Sequence, residues 1–252
     1  MSMSRTFLIG SAVALFGAVS ATAETATIGV ASNFAEAARA LASDFREETG
    51  HQIRISIGST GSLFTQIVMG APYDIFMAAD QTRPESIEQY NLGVEGTRFT
   101  YAVGYLTLWS SEPDTFTDGL EALQNAEFDH LAMANPDVAP YGVAAREVLE
   151  HYGLWEGLQD KIVIGENIGQ VYVMVDSFSA ELGFVAASNV ISADNDYGVA
   201  WDVPGESYTP IRQDAILLKT AENNEAALAF IEYLQSDSAA PIMRFYGYGV
   251  AE

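Results

Sequence analysis

Four short segments combine small residues, hydroxyls and glycine at positions where a strand gives way to a helix: Ala31-Ser32-Asn33, Gly58-Ser59-Thr60-Gly61-Ser62, Ala139-Pro140-Tyr141-Gly142 and Glu166-Asn167-Ile168-Gly169. The first backbone N–H groups of a helix have no intrahelical acceptor and sit at the positive end of its dipole. Such a start binds an anion without a lysine or arginine. One junction alone is explained by ordinary N-capping, with Ser32 or Asn33 as the cap of the first helix. Four of them, two in each half of the chain, point to a cleft that takes an anion.

Other chemistries find less support. Gly58 to Ser62 lacks the Gly-Lys-Ser/Thr of a nucleotide-binding loop. A hydrolase with Ser59 or Ser62 as nucleophile needs a base within reach, and no histidine has a recognisable partner nearby. Asp74 and Asp80 flank an apolar strand, where strand-end solvation or helix capping explains them better than acid–base catalysis. His51, His130 and His151 are far apart and read as solvated surface residues. Cysteine is absent, which excludes disulfides, thiolate nucleophiles and Cys-based metal sites.

The elements that must hold these loops follow from periodicity. Residues 25–30, 52–57, 74–78, 131–134, 162–164 and 182–186 read as short strands. Helical spacing recurs between them: Phe34, Ala37, Ala38, Leu41 and Phe45 share one face, and Gly50 closes that helix. Strands alternating with helices predict a parallel α/β sheet, whose ligands sit beyond the carboxyl ends of the strands, where these four loops lie. The long β-rich run Phe99–Trp109 suggests a strand that leaves one domain for another, and the extended stretch Tyr208–Thr220 suggests a return.

Composition sets the limits. The chain has 252 residues, 34 acidic and 11 basic, for a formal net charge of −23. That acidity excludes a nucleic-acid partner, which needs a basic face. Its 49% hydrophobic residues exclude a disordered chain. Arg5, an apolar run from Phe7 to Val19 and Ala21-Thr22-Ala23 form a secretory leader, residues 1–23, that directs the chain to the bacterial periplasm. The run is too short to span a bilayer.

At these loops the sequence resembles the periplasmic molybdate-binding proteins of ABC importers. The resemblance runs along Ala31 to Phe34, Gly58 to Leu63, Gly70-Ala71-Pro72-Tyr73-Asp74-Ile75-Phe76, Ala78-Ala79-Asp80, Asn135-Pro136 through Gly142, Gly165 to Ile168, Glu181 to Ala186 and Phe245-Tyr246-Gly247-Tyr248. It implies a two-lobed type II periplasmic binding protein, each lobe a mostly parallel sheet flanked by helices, with the ligand in the cleft between them. Residues 24–103 and 212–252 would form lobe 1 and residues 104–211 lobe 2.

By the same resemblance, Ser32 and Thr60 give hydroxyl and N–H donors to a tetrahedral oxyanion, and Asn33, Tyr141 and Ile168 give backbone N–H groups. Ser59 and Ser62 are adjacent. Ala186 stands where some members carry a tyrosine that reaches the anion. The implied ligand is molybdate or tungstate, contacted through its oxygens with no direct metal ligand and no cofactor. The implied partner is the inner-membrane permease, and the protein is expected to be a monomer without enzymatic activity.

The chemistry suits a dianion. Molybdate at neutral pH only accepts hydrogen bonds, so a pocket of donors without carboxylates holds it. Each charged hydrogen bond is worth roughly 1.5–3 kcal/mol, so a handful supply on the order of 10 kcal/mol, against about 8 kcal/mol for micromolar binding. Sulfate and chromate are alternatives on the same fold. Phosphate, bound as its monoprotonated ion, would need a carboxylate acceptor such as Glu166 or Asp80.

Overall fold

The computed structural model describes residues 23–192 and 197–249. Apart from Ala23, the leader expected over residues 1–23 lies outside the described residues.

The chain opens with β1 (Thr25–Ala31) and, after a 3-10 turn, α1 (Ala35–Thr49). Ala37, Ala38, Leu41 and Phe45 are buried on the helix face their spacing defines, and Gly50 ends the helix at φ +79°. There follow β2 (Gln52–Gly58), α2 (Thr60–Val68), β3 (Ile75–Met77), α3 (Thr82–Gln89) and β4 (Phe99–Gly104). The long β-rich run then breaks at Tyr105, and its second half, β5 (Leu106–Ser110), enters a different sheet.

The second sheet is built with α4 (Gly119–Asn125), β6 (Leu131–Ala134), α5 (Pro140–His151), α6 (Trp155–Leu158), β7 (Ile162–Gly165), α7 (Ile168–Asp176), β8 (Leu182–Ala186), α8 (Ala187–Ser192) and β9 (Val199–Asp202). The chain returns as β10 (Ile211–Leu217) and closes with α9 (Glu225–Tyr233) and α10 (Ala239–Phe245).

The two five-stranded sheets have the orders β2-β1-β3-β10-β4 and β7-β6-β8-β5-β9. In the first, β1 runs parallel to β2 and β3, while β10 is antiparallel to both β3 and β4. In the second, β6 runs parallel to β7 and β8, while β5 is antiparallel to β8 and β9. Each sheet thus holds one reversed strand, and that strand is the one entering from the other lobe. The mostly parallel, two-lobed α/β architecture expected from the sequence is the one observed.

Each sheet has its own core. Phe34, Phe45 and Phe230 pack with Ile28, Val30 and Leu41 against one sheet, and Leu108, Trp109, Met133, Val148, Val171 and Phe184 fill the other. Fully burying such side chains contributes roughly 1.5–3 kcal/mol each. The all-apolar strands Leu131–Ala134 and Leu182–Ala186 are buried throughout, as strands covered on both faces must be.

One local expectation changes. Neither Ser32 nor Asn33 caps the first helix by its side chain, because both lie inside the 3-10 turn Ser32–Phe34. Helix α5 begins at Pro140, since proline tolerates the first helical position, where its missing N–H is not needed. Before Tyr208 lies the edge strand β9, only 4 residues long, whose side chains alternate between half-buried and exposed.

Candidate functional site

The four junctions meet. Ala31, Ser32, Asn33, Gly58, Ser59, Thr60, Ala79, Ala139, Pro140, Tyr141, Asn167 and Ile168 line one cavity between the sheets. Ser32, Asn33, Ser59 and Thr60 are all buried although polar. The space is small, about 10 Å³ for the centre of a water-sized sphere, close to the roughly 10–15 Å³ that one water requires. That scale suits a compact solute. A larger groove of about 530 Å³ opens beside it, lined by Asp80, Arg83, Glu147 and Arg212 among others, where charges of both signs mix.

Each helix start commits some donors to its own loop or to the opposite lobe and keeps one free. In α2, Gly61 N–H donates to Val138 O (2.8 Å) and Ser62 N–H to Ser59 Oγ (3.2 Å). In α5, Pro140 has no N–H, and Gly142 N–H donates to Ala139 O (2.9 Å). In α7, Gly169 N–H donates to Ser32 Oγ (3.2 Å) and Gln170 N–H to Asn167 Oδ1 (3.0 Å). Thr60, Tyr141 and Ile168 are left with N–H groups that have no partner among the described residues. All three residues line the cavity.

The two hydroxyls are set as donors by what they accept. Ser32 Oγ takes the Gly169 N–H from the other lobe, and Thr60 Oγ1 takes the Ala79 N–H at 3.0 Å. Their own protons remain to be given. Ser59 is different: its Oγ donates to Ser62 Oγ at 2.7 Å and caps α2, so its donor capacity stays inside the loop. Ser62 is exposed and does not line the cavity. Ala186 does not line it either; its methyl is buried in the second core at the end of β8.

Tyr141 is held from both ends. The absent Cβ of Gly142 would stand 2.2 Å from Ala134 O, so only glycine lets α5 start this close to the end of β6. The Tyr141 hydroxyl accepts from Gln213 Nε2 at 3.3 Å. Gln213 Oε1 accepts from Asn33 Nδ2 (2.9 Å) and from the Tyr101 hydroxyl (3.0 Å). Tyr248 donates to Asn33 O at 2.6 Å, and Ser188 Oγ reaches the same carbonyl at 3.0 Å. Burial pushes the Tyr101, Tyr141 and Tyr248 hydroxyls well above the usual tyrosine range, so they stay protonated.

This buried network was not singled out by sequence reasoning. Its signal was the polar pair Gln213-Asp214 inside the apolar strand Ile211–Leu217. Asn167 was also passed over as a site residue, yet it lines the cavity and caps α7.

Among the described residues no carboxylate lines the cavity. Asp80 is paired with Arg83 and accepts the Arg83 N–H at 3.0 Å. Glu166 is exposed. Asp74 accepts the Thr27 N–H at 2.6 Å, a strand-end role. The histidines lie elsewhere: His130 is exposed beside Glu181, and His151 packs edge-on against Tyr152. His51 corrects the expectation of a solvated residue. It is buried against Phe45, and its Nδ1 accepts the Glu24 N–H at 3.1 Å. Among the described residues no base is hydrogen-bonded to Ser59 or Ser62, whose hydroxyls bond to each other, and the arrangement suits the binding of an anion.

The family model for bacterial extracellular solute-binding proteins matches residues 26–249. The molybdate-binding protein ModA of Azotobacter vinelandii is 43% identical over 251 residues, covering 99% of this chain and 100% of that protein. The ModA of Rhodobacter capsulatus is 41% identical over 231 residues, covering 92% and 90%. The solved structure of the Azotobacter vinelandii periplasmic molybdate-binding protein superimposes with a TM-score of 0.87 at 36% identity, covering 90% of this chain and 100% of that one.

Proposed function

The chain belongs to the family of bacterial extracellular solute-binding proteins, and we propose that its cargo is molybdate, captured in the periplasm and delivered to the permease of an ABC importer. The observation that carries this reading is the set of uncharged donors, two hydroxyls and three unpaired backbone N–H groups, around a small cavity with no carboxylate. Such a set suits a solute that only accepts hydrogen bonds. The names of the two ModA relatives point to the same anion.

In this reading the oxyanion is held by Ser32 and Thr60 through hydroxyl and N–H, and by Asn33, Tyr141 and Ile168 through N–H. Residues 24–103 and 212–252 form one lobe and 104–211 the other. The anion joins the lobes because its donors come from both. Tungstate, nearly the same size, binds equally well. The protein acts as a monomeric carrier with no turnover, and its leader, residues 1–23, is removed on export.

Monoprotonated phosphate is disfavoured, since it would have to donate its proton and finds no carboxylate there. Sulfate shares the donor-only requirement and is refused on size. Thermal-shift titration tests the reading: molybdate and tungstate raise the melting temperature in proportion to the logarithm of their concentration, and sulfate and phosphate do not. Equal stabilisation by sulfate, or none by molybdate, refutes it.

A further inference from the structure

The lobes also touch at a point outside the donor set. Gly61 follows Thr60 in the first turn of α2, and its N–H donates to Val138 O of the opposite lobe at 2.8 Å. A β-carbon on Gly61 would lie 2.9 Å from Val138 Cα, 3.0 Å from its Cβ and 3.1 Å from its carbonyl oxygen. Two of those atoms are backbone, so no side-chain rotation relieves the overlap. The neighbouring carbonyl, Asp137 O, accepts from Arg83 Nη2 at 3.1 Å, and Arg83 is itself held by Asp80.

Two helices of one lobe therefore grip two successive carbonyls of the other. The gripped loop is stiff. Asn135 N–H donates to Gly165 O (2.8 Å), Ala139 N–H to Asn135 O (2.9 Å) and Asp137 N–H to Asn135 Oδ1 (3.0 Å). This loop runs directly into Pro140 and Tyr141, which line the cavity.

We infer that Gly61 against Val138 is the closure stop of the cleft. The contact fixes how near the Thr60 side of the cavity comes to the Tyr141 side. Gly61 is thus a positioning residue: it gives its N–H to the opposite lobe, and acts on the anion through the distance between other donors. Hydrogen bonds hold their strength only over a few tenths of an ångström around 2.9 Å, so a stop displaced outward by one methyl group weakens every bond that one lobe makes. The inference rests on the oxyanion-binding reading above.

The test compares wild type, Gly61→Ala and Arg83→Gln by calorimetry with sodium molybdate, thermal melting of the ligand-free protein, and small-angle scattering with and without molybdate. Gly61→Ala is expected to melt no lower than wild type without ligand, because the overlap exists only when the lobes meet and alanine is the better helix former. Its molybdate affinity falls by about tenfold or more, equivalent to at least one charged hydrogen bond, and at saturation it stays less compact than wild type. Arg83→Gln loses one of the two grips and binds several-fold more weakly.

A Gly61→Ala affinity within about twofold of wild type overturns the inference, as does an affinity loss matched by a lower melting temperature of the ligand-free variant. A wild type that ignores molybdate in calorimetry refutes the functional reading instead, and the stop falls with it.

Discussion

Ser32 and Gly169 come from opposite sheets, and the Gly169 N–H donates to Ser32 Oγ at 3.2 Å. One serine thereby both ties α7 to the other lobe and keeps its proton for the cavity. Ser32→Ala removes the tie and the donor together. Molybdate affinity is expected to fall by about 10- to 100-fold, the value of a charged hydrogen bond or slightly more, while the ligand-free protein stays folded and its melting temperature falls only modestly, the Gly169 N–H having lost its acceptor. Calorimetry measures the first and a thermal melt the second; unchanged affinity removes Ser32 from the site.

Thr60 carries a second role that its variants separate. Its Oγ1 accepts the buried Ala79 N–H at 3.0 Å, and the residue is 1% exposed. Thr60→Val keeps the shape but strands that N–H, at a cost of about 1–3 kcal/mol in stability, and it also loses the donor to the anion. Thr60→Ser keeps both. Urea unfolding and calorimetry are expected to rank the three proteins wild type, serine, valine in both measurements.

Much of this was legible beforehand, for a physical reason. Helix starts are written locally: small residues, hydroxyls and glycine mark the junctions, and Phe34, Ala37, Ala38, Leu41 and Phe45 mark the face that anchors the first of them. What a junction does with its donors is a tertiary matter. Nothing near Ser59 in sequence reveals that its hydroxyl turns to Ser62, or that Ser32 waits for a glycine 137 residues away. The Asn33, Tyr101, Tyr141, Gln213 and Tyr248 network was invisible for the same reason, since its members come from separate stretches of the chain, Tyr248 from beyond the last helix.

Tyr141 separates a backbone role from a side-chain role. Tyr141→Phe keeps the N–H that faces the cavity and leaves Gln213 Nε2 without its acceptor. Stability is expected to drop by about 1–3 kcal/mol with little change in affinity. Gly104→Ala disturbs both roles: its Cβ would lie 2.0 Å from the Tyr141 hydroxyl oxygen and 2.5 Å from Gln213 Nε2. The helix start must move, so affinity and stability fall together, stability by about 1–3 kcal/mol as in other overpacked interiors. Calorimetry and urea unfolding on both variants decide.

Alkaline pH offers a test of the buried tyrosines. Burial raises the pKa of Tyr101, Tyr141 and Tyr248 above that of the unfolded chain. The folded state then holds more protons than the unfolded one once the pH exceeds the unfolded value of about 10. Their contribution is therefore fully present below pH 10 and is lost as pH rises through the folded values. Urea unfolding is expected to show a decline steepening above about pH 10, by up to roughly 1.4 kcal/mol per pH unit for each tyrosine. Tyr248→Phe should flatten it.

The protein's charge opposes its own ligand. At −23 the chain repels a dianion at long range, and among the described residues no basic side chain lines the cavity to counter that field. Binding is decided within a few ångströms by N–H and O–H dipoles, whereas capture is governed over the screening distance, about 8 Å at physiological salt. Added salt shortens that distance and lowers the barrier to approach. Stopped-flow measurement of tryptophan fluorescence on mixing with molybdate is expected to show an association rate that rises with sodium chloride at low ionic strength and then levels off. A rate that falls with salt would mean that a cationic surface steers the anion in, and that the neutral-donor site does not act alone.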